Sequence, residues 1–119
     1  MSNASAQAHQ FYRDVAKNRE LWTVRKGDIF AKIPLRDGKI ATPVWSSLSR
    51  IERVIQSIPV YAGSQPVRIT FEDFVRDWIP QIRQEGGLLG VNWSGPSLRG
   101  FNIEPDFVLK AIENCELEA

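Results

Sequence analysis

The sequence predicts an α+β protein, a single compact domain in which a mixed sheet packs with about four helices. Three observations predict it. Apolar residues recur at helical spacing in four separate segments, and short runs rich in aromatic and β-branched residues stand between them. These runs follow one another directly near the N-terminus but alternate with helical segments further on, the mark of antiparallel and crossover connections in one sheet. A chain of 119 residues, 43% hydrophobic and 24% charged, has the composition of a folded protein. At this size it buries somewhat over ~60% of its unfolded surface, enough for one core. We expect one domain over 1–119 with an ordered core of about 6–115.

Ala8, Phe11, Tyr12 and Val15 fall at i, i+3, i+4 and i+7. They put one apolar stripe on an N-terminal helix whose other face carries Arg13, Asp14, Lys17 and Asn18. "LWTVR" and "DIFAKIPL" then read as strands separated by Lys26-Gly27, and Asp37-Gly38 supplies the positive-φ pair of a tight turn. An antiparallel meander from Leu21 to Trp45 is expected.

Leu48, Ile51, Ile55 and Ile58 restore the helical spacing, so an amphipathic helix is expected over Ser46 to Ser57, ended near Pro59. Ser46 and Ser47 stand at its start as N-cap residues. "PVYAGSQ" reads as a loop and "PVRI" as a brief strand. Thr70, with Asp73 three residues on, caps a third helix. That helix buries Phe71, Phe74, Val75, Trp78 and Ile82. Pro80 cannot donate to the carbonyl of Arg76, so a kink or break is expected there. On its outer face Glu72 and Arg76 form a favourable i,i+4 pair. Gly86-Gly87 ends the helix.

"LLGV" is an apolar strand buried on both faces. "LRGFNI" returns as a short strand, and Pro105 opens a closing helix with Val108, Ala111, Ile112 and Cys115 inside. Two strand-helix-strand steps, Thr42–Trp45 to Val67–Ile69 and on to Leu88–Val91, make those strands parallel if they share a sheet. Their carboxyl ends then bring together Trp45-Ser46-Ser47, Thr70-Phe71-Glu72 and Asn92-Trp93-Ser94-Gly95. Ligands lodge beyond such ends in open parallel sheets.

The net charge of +1 provides no field to recruit nucleic acid or an anionic membrane. Residues 1–60 hold ten Lys/Arg against five Asp/Glu, whereas 61–119 hold five against nine. The halves thus carry net +5 and −4, a division read first as solvated faces. Cys115 is the sole cysteine, which excludes an intramolecular disulfide and fits a reducing cytoplasm. No window reaches the ~18 apolar residues of a membrane span, and no secretory signal is read at the N-terminus.

The residues offer little catalytic chemistry. Asn92-Trp93-Ser94-Gly95-Pro96 fails the G-x-S-x-G elbow at both ends. The single histidine, His9, lies on the first helix as a surface residue, so no Ser-His-acid set is indicated. One His and one Cys do not build a zinc site, and "GGLLGVNWSG" holds no phosphate-loop pattern. No catalytic residue, metal site or cofactor is expected. Trp22 and Trp78 read as core. Trp45 and Trp93 end strands at the proposed shared edge, where lining a site is as good a reading as packing. There the start of the second helix, with Ser46, Ser47, Arg50 and Arg53, can hold an anion.

The series "FYRDVAKN", "PVWSSLSRIERVI", "YAGSQPVRITFEDFVRDWIP" and "LLGVNWSGPSLRGFNIEP" resembles the bacterial domain-of-unknown-function family numbered 2750. The resemblance covers nearly the whole chain, its most specific parts being Pro43–Ser47 and Gly90–Gly95. It implies a small bacterial cytoplasmic protein with no assigned activity. More loosely, the order of a Pro-aromatic-Ser-Ser strand end, a helix and a later Gly-x-Asn turn resembles SseB-type domains, which implies a non-catalytic regulatory or interaction module.

The leading expectation is therefore a non-catalytic protein-binding or regulatory module. The alternative is a small-molecule or anion-binding domain, and a third reading is a toxin-neutralising immunity-type protein. The residues expected to bind ligand or partner are Trp45, Ser46, Ser47, Arg50, Asn92, Trp93 and Ser94. The partner is expected to be another protein or a small anion, with neither nucleic acid nor membrane.

Overall fold

The computed structural model describes residues 3–118. Helix α1 (Asn3–Asn18) buries the expected stripe, with Ala8, Phe11, Tyr12 and Val15 all inside the core. Arg19, at φ +57, turns the chain into β1 (Glu20–Lys26). A tight turn at Gly27, also positive in φ, leads to β2 (Ile29–Phe30). Strand β3 (Ile33–Pro34) then forms a hairpin with β4 (Ile40–Val44). In its loop Gly38 sits at φ +86, and the Asp37 carboxylate accepts the Lys39 N–H at 3.0 Å, the local bond that suits Asp to such turns.

Helix α2 (Leu48–Ser57) buries Ile51 and Val54. A 3₁₀ turn (Pro59–Tyr61) lies within the expected loop, and β5 (Gln65–Thr70) follows. Thr70 caps the next helix by accepting the Asp73 N–H at 3.1 Å. That helix has three parts: α3 (Phe71–Asp73), a π turn (Phe74–Trp78) and α4 (Ile79–Gln84). Strands β6 (Leu88–Val91) and β7 (Asn102–Ile103) and helix α5 (Pro105–Glu118) complete the described residues. Taking α3 to α4 as one continuous helix gives the four expected, and the α+β class is what the structure shows.

Pro80 neither breaks the helix nor ends it. The turn before it widens to π geometry, with the Ile79 N–H donating to Phe74 O. An i to i+5 turn suits a residue that cannot donate and whose ring crowds the carbonyl four residues back. Beyond it the helix closes in a Schellman motif. Gly87 N–H donates to Ile82 O at 2.9 Å and Gly86 N–H to Arg83 O at 3.1 Å, with Gly86 at φ +66. The expected Glu72–Arg76 pair does not form. Arg76 instead reaches Asp73 at 2.7 Å and Asp77 at 2.9 Å, and their shared guanidinium holds the Asp77 carboxyl below its ordinary range.

The strands divide into two sheets, β2-β1-β5 and β3-β4-β6-β7. β4 and β6 are parallel as expected, with Ala41 opposite Leu88 and Val44 opposite Val91. β5 is not their neighbour. It pairs antiparallel with β1 over its whole length, from Glu20 opposite Thr70 to Arg25 opposite Gln65. The meander is divided likewise, since β2 joins the first sheet and β3 the second. A bridge between Trp22 and Trp45 stitches the sheets together, with N–H to O distances of 2.7 and 2.8 Å. Thr23 adds a buried bond, its hydroxyl donating to Pro43 O at 2.8 Å. One expected juxtaposition is therefore lost: Thr70-Phe71-Glu72 follows a strand of the other sheet, and only the ends of β4 and β6 meet.

Two apolar clusters fill the interior. The larger lies between α1, α4, α5 and the sheets around Phe11, Phe74 and Leu89. The smaller, around Trp45, Ile51, Tyr61 and Trp93, lies under α2. Trp22 and Trp78 are partly buried and pack against these clusters, and Trp78 meets Phe30 edge to face at 5.1 Å.

Candidate functional site

The paired ends of β4 and β6 are tied by side chains before they open to solvent. β6 runs into Asn92, which is fully buried and turns the chain at φ +50, a conformation asparagine tolerates better than most residues. Its backbone N–H donates to Val44 O at 2.9 Å. Its side-chain Oδ1 accepts the Ser46 N–H at 2.9 Å, and its Nδ2 donates to Ser46 Oγ at 3.0 Å and Gln7 O at 3.2 Å. Ser46 Oγ donates in turn to Asp14 Oδ2 at 2.6 Å. One polar chain thus runs from α1 through both strand ends and back to α1.

This network corrects the reading of Ser46 as a helix cap. Its hydroxyl is occupied by Asp14 and Asn92, and Ser47 alone caps α2, accepting the Arg50 N–H at 3.3 Å. Replacing Ser47 by alanine is expected to cost about 1 kcal/mol, read as a lower urea midpoint at unchanged slope; an unchanged midpoint would show the cap to be idle.

Outside the network lies a cleft of about 340 Å³, at the small end of ligand pockets. Its apolar walls are Trp45, Val54, Ile58, Trp93 and Pro96, and Arg50, Arg53, Ser57 and Ser94 bring polar groups to it. Trp45 is 1% exposed; its Nε1 donates to Trp93 O at 2.8 Å, and Tyr61 meets its ring edge-on at 6.5 Å. Burial pushes the Tyr61 phenol up. Trp93, 6% exposed, lies across Gly90 and Gly100, and its Nε1 donates to Phe101 O at 3.3 Å. Both glycines are explained by that ring, which occupies the space a β-carbon would need.

Four of the seven expected residues, Trp45, Arg50, Trp93 and Ser94, border this cleft. Ser46 and Asn92 lie behind it as the scaffold that fixes the strand ends, and Ser47 sits at the start of α2. The helix stripe Val54 and Ile58 also faces the cleft, a role that spacing alone does not distinguish from core packing. Ser94 is hydrogen-bonded by the Gln7 side-chain amide, a group that does not activate a nucleophile. His9 borders a different cavity and meets Tyr12 edge-on at 6.4 Å.

Charge distinguishes the cleft further. Arg19, Arg68, Arg76 and Arg83 each hold a carboxylate. The guanidiniums of Arg50 and Arg53, like those of Arg25, Arg36 and Arg99, make no ion pair or side-chain hydrogen bond among the described residues, but of these five only Arg50 and Arg53 border the cleft. They lie one helical turn apart on α2 and border the same cavity. Two unpaired cations beside apolar walls can receive an anion that carries an apolar body.

The class defined by fold and cleft is a small α+β protein with a cavity at the carboxyl ends of a parallel strand pair. The chain belongs to the family described as "Protein of unknown function (DUF2750)", which matches residues 8–112. No curated protein matches the chain. Among the described residues no helix is long and apolar enough to cross a membrane.

Proposed function

We propose that this protein is a non-catalytic binding module whose working site is the cleft between α2 and the ends of β4 and β6. Its ligand is an organic anion, a carboxylate or phosphate on a compact apolar body. Arg50 and Arg53 take the charge; Trp45, Val54, Ile58 and Trp93 take the body; Ser94 supplies a hydroxyl at the rim. The observation that carries this reading is the pair of unpartnered guanidiniums at a cavity walled by two indoles. A regulatory role follows if ligand occupancy alters how the module meets another protein. The lone Cys115 suits a reducing, cytoplasmic setting.

A thermal-shift panel of aryl and alkyl carboxylates and phosphates tests the reading. A ligand at a hundred times its Kd stabilises by ~2.7 kcal/mol, which moves the Tm of a domain this size by roughly 10 °C. Replacing both Arg50 and Arg53 by alanine is expected to leave the ligand-free Tm nearly unchanged and to abolish that response. A panel with no active member, or a response that survives in the double variant, overturns the assignment.

A further inference from the structure

A second cavity lies on the opposite side of α1. On α1 it is bordered by Ser5, Ala8, His9 and Tyr12, which share one helical face. On α5 it is bordered by Phe107, Ala111, Asn114, Cys115 and Glu118, again one face, and the segment Phe101–Glu104 closes its head. The C-terminal ends of the two helices lie side by side, joined by the Arg19–Glu116 ion pair. The cavity is therefore a groove of about 710 Å³ between two helices that run the same way. From Phe107 to Glu118 it follows α5 for roughly 16 Å, at 1.5 Å per residue.

We propose that this groove docks a cationic amphipathic helix of a partner protein. The inference stands on a separate surface and does not depend on the anion cleft. The form of the occupant follows from the groove. A trough between two helices takes the apolar ridge of a third, and three turns of helix match its length. The floor is apolar, with Ala8, Tyr12, Ile103 and Ala111. Phe107 stands 61% exposed and Phe101 43% exposed at its margin, the kind of aromatic that anchors interfaces when covered.

The charge of the occupant follows from its ends. Glu104 borders the head and Glu118 the tail, and neither carboxylate is ion-paired among the described residues. Among the described residues no Lys or Arg borders the groove itself; Arg13 and Lys17 line the adjoining cavity that shares Cys115 and Glu118, without ion-pairing Glu118. Desolvating those carboxylates under an apolar or acidic helix leaves them unpaired, whereas Lys or Arg at both ends of the helix satisfies them. A second copy of this chain fits poorly. Groove against groove sets Glu104 and Glu118 of one copy against the same residues of the other, and the apolar stripes of α1, α2 and α4 are already buried in their own core.

The test is fluorescence anisotropy with two labelled peptides of about fifteen residues, sharing one Leu/Ala stripe and bearing either Lys or Glu on the polar face. The Lys peptide is expected to bind with Kd on the order of 10 μM and the Glu peptide at least tenfold more weakly. Phe107→Ser, on an exposed position, is expected to weaken the Lys peptide about tenfold with the far-UV circular dichroism unchanged. Glu104→Gln with Glu118→Gln is expected to remove most of the salt dependence of binding.

Cys115 gives an independent readout. Burial, and then Glu118, push its thiol up; slow alkylation is therefore expected, and the bound Lys peptide is expected to slow it further. Equal affinity for the two peptides overturns the proposal, as does binding that ignores Phe107→Ser. A dimer in light scattering that Phe107→Ser dissolves assigns the groove to a second copy and overturns it equally.

Discussion

Replacing Gly90 by alanine is expected to destabilise the protein by ~3 kcal/mol, through crowding rather than backbone strain. Gly90 lies in β6, buried and with an ordinary backbone conformation, so alanine's own preferences are not at issue. A β-carbon there collides with the six-membered ring of Trp93 and stands 2.7 Å from its Nε1. Relief requires the indole to leave its place, and the ring is also packed closely against Gly100, where an added β-carbon would stand 2.5 Å from Trp93 Cδ1. Moving the ring also breaks its bond to Phe101 O and disturbs the carbonyl that receives Trp45 Nε1.

Urea denaturation measures the loss, and a second substitution identifies its cause. If the ring is the obstacle, Trp93→Phe combined with Gly90→Ala costs clearly less than the two single changes added together, by a coupling of about 1 kcal/mol or more. Gly38→Ala is the control. That site is open but at φ +86, so it should show the left-handed penalty alone, about 1 kcal/mol. A Gly90→Ala protein within 1 kcal/mol of wild type would mean that Trp93 does not hold the position described.

What could be read from the residues alone was whatever is decided within a few positions of the chain. The α1 stripe, the Thr70 and Ser47 caps and the glycine-closed end of α4 all depend on neighbours one or two turns away, and all are found. What could not be read depended on partners far along the chain. β5 and β1 are some 45 residues apart, and nothing in "PVRI" states that it pairs with "LWTVR" rather than with "LLGV". The expected gathering of three strand ends therefore shrank to two. Arg76 was drawn to Asp73 and Asp77, not Glu72, because a flexible guanidinium on a surface helix has several carboxylates in reach and small energies decide among them. The cleft was half legible. Its indoles were picked out as strand-end aromatics, but that Ser46 and Asn92 are consumed by each other and by Asp14 is a fact of three dimensions.

Asn92→Ala is expected to cost ~3–4 kcal/mol, because the change removes a side chain from the middle of a buried network. The Ser46 N–H loses its acceptor, and Ser46 Oγ and Gln7 O each lose one donor; a buried donor left unpaired costs about 1–3 kcal/mol. Alanine at φ +50 adds about 1 kcal/mol of left-handed strain. Asn92→Gly separates the two contributions, since glycine adopts that backbone freely, and it should recover about 1 kcal/mol of the loss. Asn92→Asp is the sharper probe. It keeps an acceptor for the Ser46 N–H, yet sets a carboxylate against Gln7 O and beside a Ser46 hydroxyl already donated to Asp14. The introduced carboxyl should then hold its proton more tightly in the folded protein than in the unfolded chain. A group whose folded pKa is raised in this way binds more protons in the native state, so stability falls as pH rises from the unfolded-state value towards the folded one. The deficit of Asn92→Asp relative to wild type is therefore expected to grow between roughly pH 4 and pH 7 and to shrink again on acidification. A pH-independent deficit, or an Asn92→Ala protein as stable as wild type, would show that Asn92 merely turns the chain and does not lock α1 to the ends of β4 and β6.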